Sequence, residues 1–264
     1  MTADPVVSYN VAKLAGAFGA ALLAGAINSV AGGGTLIAFP LLVALGLPPI
    51  VANATNTVGI WPGTIGSVLG FRQELRRVPR QIFWLLIPAI FGAVIGALLL
   101  RFTSPDVFNR VIPGLILFAT ILFMIQGPVQ RKLRSVEAVH AATPTWFVLA
   151  MIAELLVAIY GGYFGAGMSI IMLSILGIIG MHDILEMNAT TSFFGAVVNG
   201  LAGIIFIVSG LVAWPYVFAM AFGALAGGYW AAGFARKLGR VMVRRLVIVV
   251  GLAITVVMGV RLLH

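Results

Sequence analysis

Two stretches of this chain carry residue types that could hold a small anion, and they carry them in nearly the same order. In the first, Gly32, Gly33 and Gly34 are followed by Thr35, an apolar run and Asn53-Ala54-Thr55-Asn56. In the second, Gly165, Ala166 and Gly167 are followed by Ser169, an apolar run and Asn188-Ala189-Thr190-Thr191. Glycines interrupt a helix, each costing about 1 kcal/mol in a helix interior relative to alanine. A short polar residue beyond the interruption caps the helix that follows. Helix N-termini offer unpaired N–H groups and the positive end of the helix dipole, which suit an anion without a buried cation. The sequence therefore predicts four helix starts, after Gly34, Asn53, Gly167 and Asn188, converging on one small oxyanion. Its candidate binding residues are Gly33, Gly34, Thr35, Asn53, Thr55, Asn56, Gly167, Ser169, Asn188, Thr190 and Thr191. Capping or interhelical hydrogen bonding accounts equally for any one of them taken singly.

The elements that position these residues belong in a membrane. Of 264 residues, 61% are hydrophobic and 9% charged, and the mean hydropathy is +1.13, a balance no water-soluble domain of this length can bury in one core. The expected class is an all-α polytopic membrane protein forming a single transport domain over residues 1–264. Stretches of about 20 apolar residues, enough to cross a bilayer, fall at 11–31, 54–71, 81–100, 111–126, 146–164, 189–208, 215–235 and 246–263. Two shorter runs, 35–45 and 168–179, start directly after the glycines and read as half-helices, broken or re-entrant. The net charge of +9 sits in clusters between spans, which sets membrane orientation rather than nucleic-acid binding. The absence of cysteine removes thiol chemistry, and no span holds a histidine, so neither a cofactor nor a metal is expected. Residues 1–10 lack the basic start and cleavage pattern of a secretory signal, so the first apolar stretch reads as a mature helix.

Twelve of the 16 basic residues lie in three connections: Arg72, Arg76, Arg77 and Arg80; Arg131, Lys132 and Arg134; and Arg236, Lys237, Arg240, Arg244 and Arg245. The positive-inside rule makes these cytoplasmic, leaving 101–110 and 209–214 external. Residues 10–126 and 146–263 then form two repeats joined by a cytoplasmic linker, 127–145. Gly92 and Gly96 in one match Gly223 and Gly227 in the other, spaced for close helix packing. The connection after the third element is cytoplasmic in the first repeat and external in the second, so the repeats are inverted. Each contains five crossings, or three crossings and a re-entrant hairpin, and both termini lie outside the cytoplasm. Inverted repeats with interrupted helices at matching positions are a signature of secondary transporters working by alternating access.

One ionisable residue, Glu154, sits deep in a span. An isolated carboxyl at that depth is costly and a functional candidate by default. It could carry a proton coupled to transport, bond a neighbouring Asn or Ser, or face a wet vestibule. The matching first-repeat position, Ala21, supplies no symmetric partner.

The glycine break, the sequence Gly32-Gly33-Gly34-Thr35-Leu36-Ile37-Ala38-Phe39-Pro40-Leu41-Leu42, the Asn53-Ala54-Thr55-Asn56-Thr57 turn and their second copy resemble the TauE/SafE family of sulfite and organosulfonate exporters. The resemblance runs the length of the chain. In the second half Ala166 interrupts the glycines and Thr191 replaces the second Asn. The resemblance implies an exporter of sulfite, sulfoacetate or related sulfonates in the cytoplasmic membrane. Its partners would be the sulfur anion and lipid, and a homo-oligomer is compatible with it. A passive anion channel is the competing reading, since the same polar breaks could line a pore. An intramembrane enzyme would need a nucleophile and base or a metal cluster, and no HExxH or serine-elbow pattern is present. No P-loop is present for ATP hydrolysis.

Overall fold

The computed structural model describes residues 10–30, 33–135, 144–181, 183–238 and 248–257. Among them the chain is helical throughout, without strands: α1 (Val11–Val30), α2 (Thr35–Ala44), α3 (Pro49–Gly70), α4 (Arg72–Leu75), a 3-10 turn (Arg80–Leu85) leading into α5 (Leu86–Phe102), α6 (Pro105–Ser135), α7 (Pro144–Tyr163), α8 (Met168–Ile178), α9 (Ile184–Val208), α10 (Trp214–Leu238) and α11 (Ile248–Val257). Gly32, His140, His182, Arg240, Arg244, Arg245 and His264 lie outside the described residues. So do the side chains of Asn28, Ser29, Arg131, Lys132, Arg134, Arg236 and Lys237.

Among the described residues, three segments are long and apolar enough to cross a membrane by length and composition: Arg80–Phe102, Pro105–Pro128 and Ile184–Val208. Val11–Ile27, Phe147–Tyr163 and Trp214–Gly227 are apolar but shorter. The bundle is packed in the manner of a membrane protein, with small residues inside and large ones outside. Along α1, Ala17, Ala20, Ala21 and Ala24 are buried while Phe18 and Leu23 are exposed. Phe91 and Leu99 on α5, Leu156 on α7 and Phe222 on α10 are likewise exposed.

Two helix pairs approach closely enough that backbone meets backbone. In the α1–α10 pair, a Cβ on Gly223 or Gly227 would collide with the carbonyls of Phe18 and Leu22, and one on Gly25 with that of Ala224. In the α5–α7 pair, a Cβ on Gly92 or Gly96 would collide with the carbonyls of Leu155 and Ile159, and one on Gly162 with that of Ala93. The two sets of contacts match residue by residue. If Gly25 is matched to Gly162, Glu154 stands opposite Ala17, a buried alanine, rather than Ala21.

Two buried cores flank the centre. One joins Val78 and Ile82, beyond the end of α3, to Met181 and Met187 at the start of α9. The other joins Leu47 and Val51, at the start of α3, to Val212 and Ala213, beyond the end of α9. The helices α3 and α9 therefore run antiparallel through the middle of the bundle.

The helix starts differ from the sequence reading. α3 begins at Pro49, with proline at its first position, and α9 begins at Ile184, capped by Asp183, whose Oδ1 accepts from the Leu185 N–H at 2.8 Å. Proline at the first position and aspartate at the cap are strong start signals, and they place Asn53 and Asn188 one turn inside their helices rather than at the caps. α6 also continues as helix to Ser135, through Pro113 and Pro128.

Candidate functional site

Both glycine breaks are real turns of the backbone. Gly33 has φ +90° and Gly165 and Gly167 have φ +78°, a region open to glycine and strained for other residues. At the second break α7 stops where the N–H groups of Phe164 and Gly165 both bond the Tyr160 carbonyl, at 2.9 and 3.1 Å, while the Tyr160 hydroxyl donates to the Ala166 carbonyl. α2 and α8 then start afresh, with Gly34 and Gly167 at their caps.

A cavity of about 480 Å³ opens where the breaks meet. Its lining includes Gly33 and Thr35 from the first break, Gly165, Gly167, Met168 and Ser169 from the second, Ile60, Gly63, Thr64, Gly66 and Ser67 from α3, and Thr191, Ser192, Gly195 and Asn199 from α9. Gly25 on α1 and Ala224 and Leu225 on α10 close it. Among the described residues that line it, none carries a charge.

The lining hydroxyls are of two kinds. Thr64 donates to the Trp61 carbonyl at 2.7 Å, Ser67 to Gly63 at 3.2 Å and Thr191 to Asn188 at 3.0 Å. These protons are committed to the helix backbone. Thr35, Ser169, Ser192 and the Asn199 amide make no hydrogen bond among the described residues, so they are the side-chain donors available to a ligand. In the first turn of α2 the N–H groups of Leu36 and Ile37 are taken by the carbonyls of Gly33 and Gly34. In α8 those of Met168 and Ile170 bond Gly165 and Gly167. The amides of Thr35 and Ser169 remain outside these tight-turn bonds.

Of the residues predicted from sequence, Gly33, Thr35, Gly167, Ser169 and Thr191 come together at this cavity. Gly34, Asn53, Thr55, Asn56, Asn188 and Thr190 lie outside its lining. Gly34 is pressed against the Ala24 carbonyl. Asn53 is buried, and its Nδ2 donates to the Tyr163 carbonyl at 2.9 Å. The Thr55 hydroxyl accepts from the Ala213 N–H at 3.0 Å, closing the start of α10. Asn56 is buried, and the Thr190 hydroxyl donates to the Glu186 carbonyl at 2.8 Å. Only two of the four expected helix starts, those of α2 and α8, stand at the cavity.

Thr64, Ser67, Ser192 and Asn199, polar residues that follow the two breaks in the sequence, also line the cavity but are absent from the candidate set drawn from the motif. Helical spacing reveals them once Asn53 and Asn188 are taken as interior residues. Ile60, Thr64 and Ser67 share one face of α3, and Thr191, Gly195 and Asn199 share one face of α9.

Glu154, midway along α7, is 1% exposed, and its Oε2 has no hydrogen-bond partner among the described residues. It does not line the cavity. The elements packed on α7 are α5, α8, α9 and the 3-10 turn. Their charged residues, Arg80, Arg101 and Glu186, all lie near helix ends.

A family model described as sulfite exporter TauE/SafE matches residues 17–258. Among curated proteins the chain is 28% identical over 246 residues to ORF9 of a Sinorhizobium species, covering 92% of this chain and 91% of that one. It is 26% identical over 233 residues to a protein of Haemophilus influenzae, covering 87% and 88%. It is 27% identical over 249 residues to YfcA of Escherichia coli, covering 94% and 88%. Each of these is named a probable membrane transporter protein. No solved structure matches. The glycine-broken helices around one cavity, and a family match over nearly the whole length, place this chain in the TauE/SafE family of membrane transporters.

Proposed function

We propose that the protein is a secondary transporter that exports a small sulfur-containing anion, sulfite, sulfoacetate or a related organosulfonate, across the cytoplasmic membrane. The observation that carries this reading is the cavity between the two glycine breaks, with uncommitted donors on Thr35, Ser169, Ser192 and Asn199 and no charge among the described lining residues. Donors without a cation hold an anion weakly enough for release, as transport requires. The family's description supplies the sulfur chemistry. An anion leaving an inside-negative cell gains about 2.3 kcal/mol per charge per 100 mV, so a site without a fixed cation suits export.

Inverted repeats moving by alternating access complete the proposal. The matched glycine contacts of the α1–α10 and α5–α7 pairs support it, as does the antiparallel course of α3 and α9. Each tight pair takes one helix from each half. The rigid bodies are therefore these crossed pairs rather than the two halves. In this reading Glu154 is the residue coupled to protons, because a fully buried carboxyl facing no mid-span cation costs several kcal/mol whenever it is ionised. The 72–80 segment faces the cytoplasm.

The test is counterflow in proteoliposomes preloaded with sulfite, sulfoacetate, taurine or sulfate. Saturable exchange of a sulfur anion is the expected result. Current that follows voltage without saturation would instead identify a channel. Failure of all four compounds to move, or to raise the melting temperature, would sink the substrate assignment.

A further inference from the structure

We infer that this structure is the conformation open toward the 72–80 face, and that Asn53, Asn56 and Thr57 become cavity lining when the opposite face opens. The inference rests on the transporter reading above and assigns residues to its second state.

The cavity is lopsided. From α3 it takes residues 60 to 67, the half that leads to Arg72, and Ser67 among them is exposed. From α9 it takes residues 191 to 199, the half that shares a core with Val78 and Ile82. Both belong to the same face. On the other side every α3 residue from Val51 to Gly59 is buried, as are Ala202, Gly203 and Phe206 of α9. That side is closed by direct packing. A Cβ on Gly203 would touch Val58, one on Gly59 would be crowded by Met220, and Thr55 is bonded to Ala213.

Placing Asn53-Ala54-Thr55 on Asn188-Ala189-Thr190 aligns Asn56 with Thr191, Thr57 with Ser192 and Thr64 with Asn199. Ser192 lines the open half and is half-buried, while its counterpart Thr57 is buried in the closed half; Thr191, though buried, also borders the cavity, and Asn56 does not. Matching residues thus occupy two different environments in one conformation, and inverted repeats exchange such environments when access alternates.

A second observation marks the same residues. Asn53 Oδ1 and Asn56 Oδ1 are buried without a hydrogen-bond partner, and each residue is 1% exposed. The Tyr163 bond fixes the Asn53 amide, so its acceptor oxygen cannot be exchanged for the donor. Buried polar atoms are nearly always satisfied, and an unpaired one destabilises the state that buries it. Opening this face to water would satisfy both oxygens, which gives the second state part of its stability.

The chain has no cysteine, so single-cysteine variants S67C, S192C, N56C and T57C can be made directly. In oriented proteoliposomes, a membrane-impermeant thiosulfonate reagent is added to one face at a time, with and without sulfoacetate. S67C and S192C are expected to react from the 72–80 face. N56C and T57C should react from the opposite face, about tenfold or more slowly, because a minor state is populated at roughly 0.1–10%. Sulfoacetate should shift the two sets of rates in opposite directions. N56C and T57C unreactive from both faces, in protein that still transports, would overturn the inference by making their burial permanent. T57C keeps the test decisive if N56C misfolds, since Thr57 bonds only its own helix, at the Asn53 carbonyl. All four positions reactive from either face would instead overturn the transporter reading and identify an open pore.

Discussion

The Trp61 indole N–H donates to the carbonyl of Ala196 at 2.9 Å, joining α3 to α9 beside the cavity. Ala196 follows Trp61 by the same interval that separates Asn188 from Asn53, so the bond links two residues at matching positions of the two halves. The indole also lies against Gly200, where a Cβ would come within 2.9 Å of the ring. Trp61→Phe should cost about 1 kcal/mol through the lost hydrogen bond. Gly200→Ala should crowd the ring. Because the two residues touch, the double variant should be less destabilised than the sum of the singles, as measured by thermal unfolding in detergent.

Helix pairing gives a sharper contrast. Gly96→Ala and Gly227→Ala each drive a methyl into a backbone carbonyl that cannot rotate away, and overpacking of this kind costs about 1–3 kcal/mol or more. Nothing lies within 4 Å of a Cβ built on Gly114, so Gly114→Ala should be neutral or stabilising. The yield of monodisperse protein would rank the three.

Ligand donors should separate from structural hydroxyls. Thr35→Val and Ser169→Ala each remove an uncommitted donor to an anion, worth about 1.5–3 kcal/mol, which is roughly a ten- to hundredfold rise in KM. The Thr64 proton is already spent on the Trp61 carbonyl. Thr64→Val should therefore leave KM close to that of the unmodified protein in the same exchange assay.

Glu154→Gln should fold, because the substitution preserves shape and removes a buried group that lacks a partner. Its anion exchange should lose the pH dependence of the parent, measured with sulfoacetate across neutral pH. An unchanged profile would remove Glu154 from coupling and leave it a structural residue.

Much of this arrangement is legible in the residues themselves. The breaks show because glycine clusters between apolar runs have few other uses, and α2 and α8 lie within one residue of the expected half-helices. The starts of α3 and α9 are missed when Asn53 and Asn188 are read as caps, because Pro48-Pro49 and Asp183 give stronger signals one turn earlier. Ser192 and Asn199 are visible as polar residues beyond the second break, but taking the motif as a helix end keeps them out of the candidate set, although they continue the same face for two turns. The different environments of Asn56 and Thr191 have no sequence signature. The same motif fits either environment, and only a structure assigns one to each copy.

The crossed helix pairs also constrain how the chain is made. The groove on α1 bounded by the Phe18 and Leu22 carbonyls is filled only by α10, almost two hundred residues later. At about 5–20 residues per second of synthesis, α1 waits in the bilayer for roughly 10–40 s with that groove facing lipid. Insertion and folding are therefore separate events for this protein, and truncation anywhere before Trp214 leaves α1 without its mate, a natural target for membrane quality-control proteases.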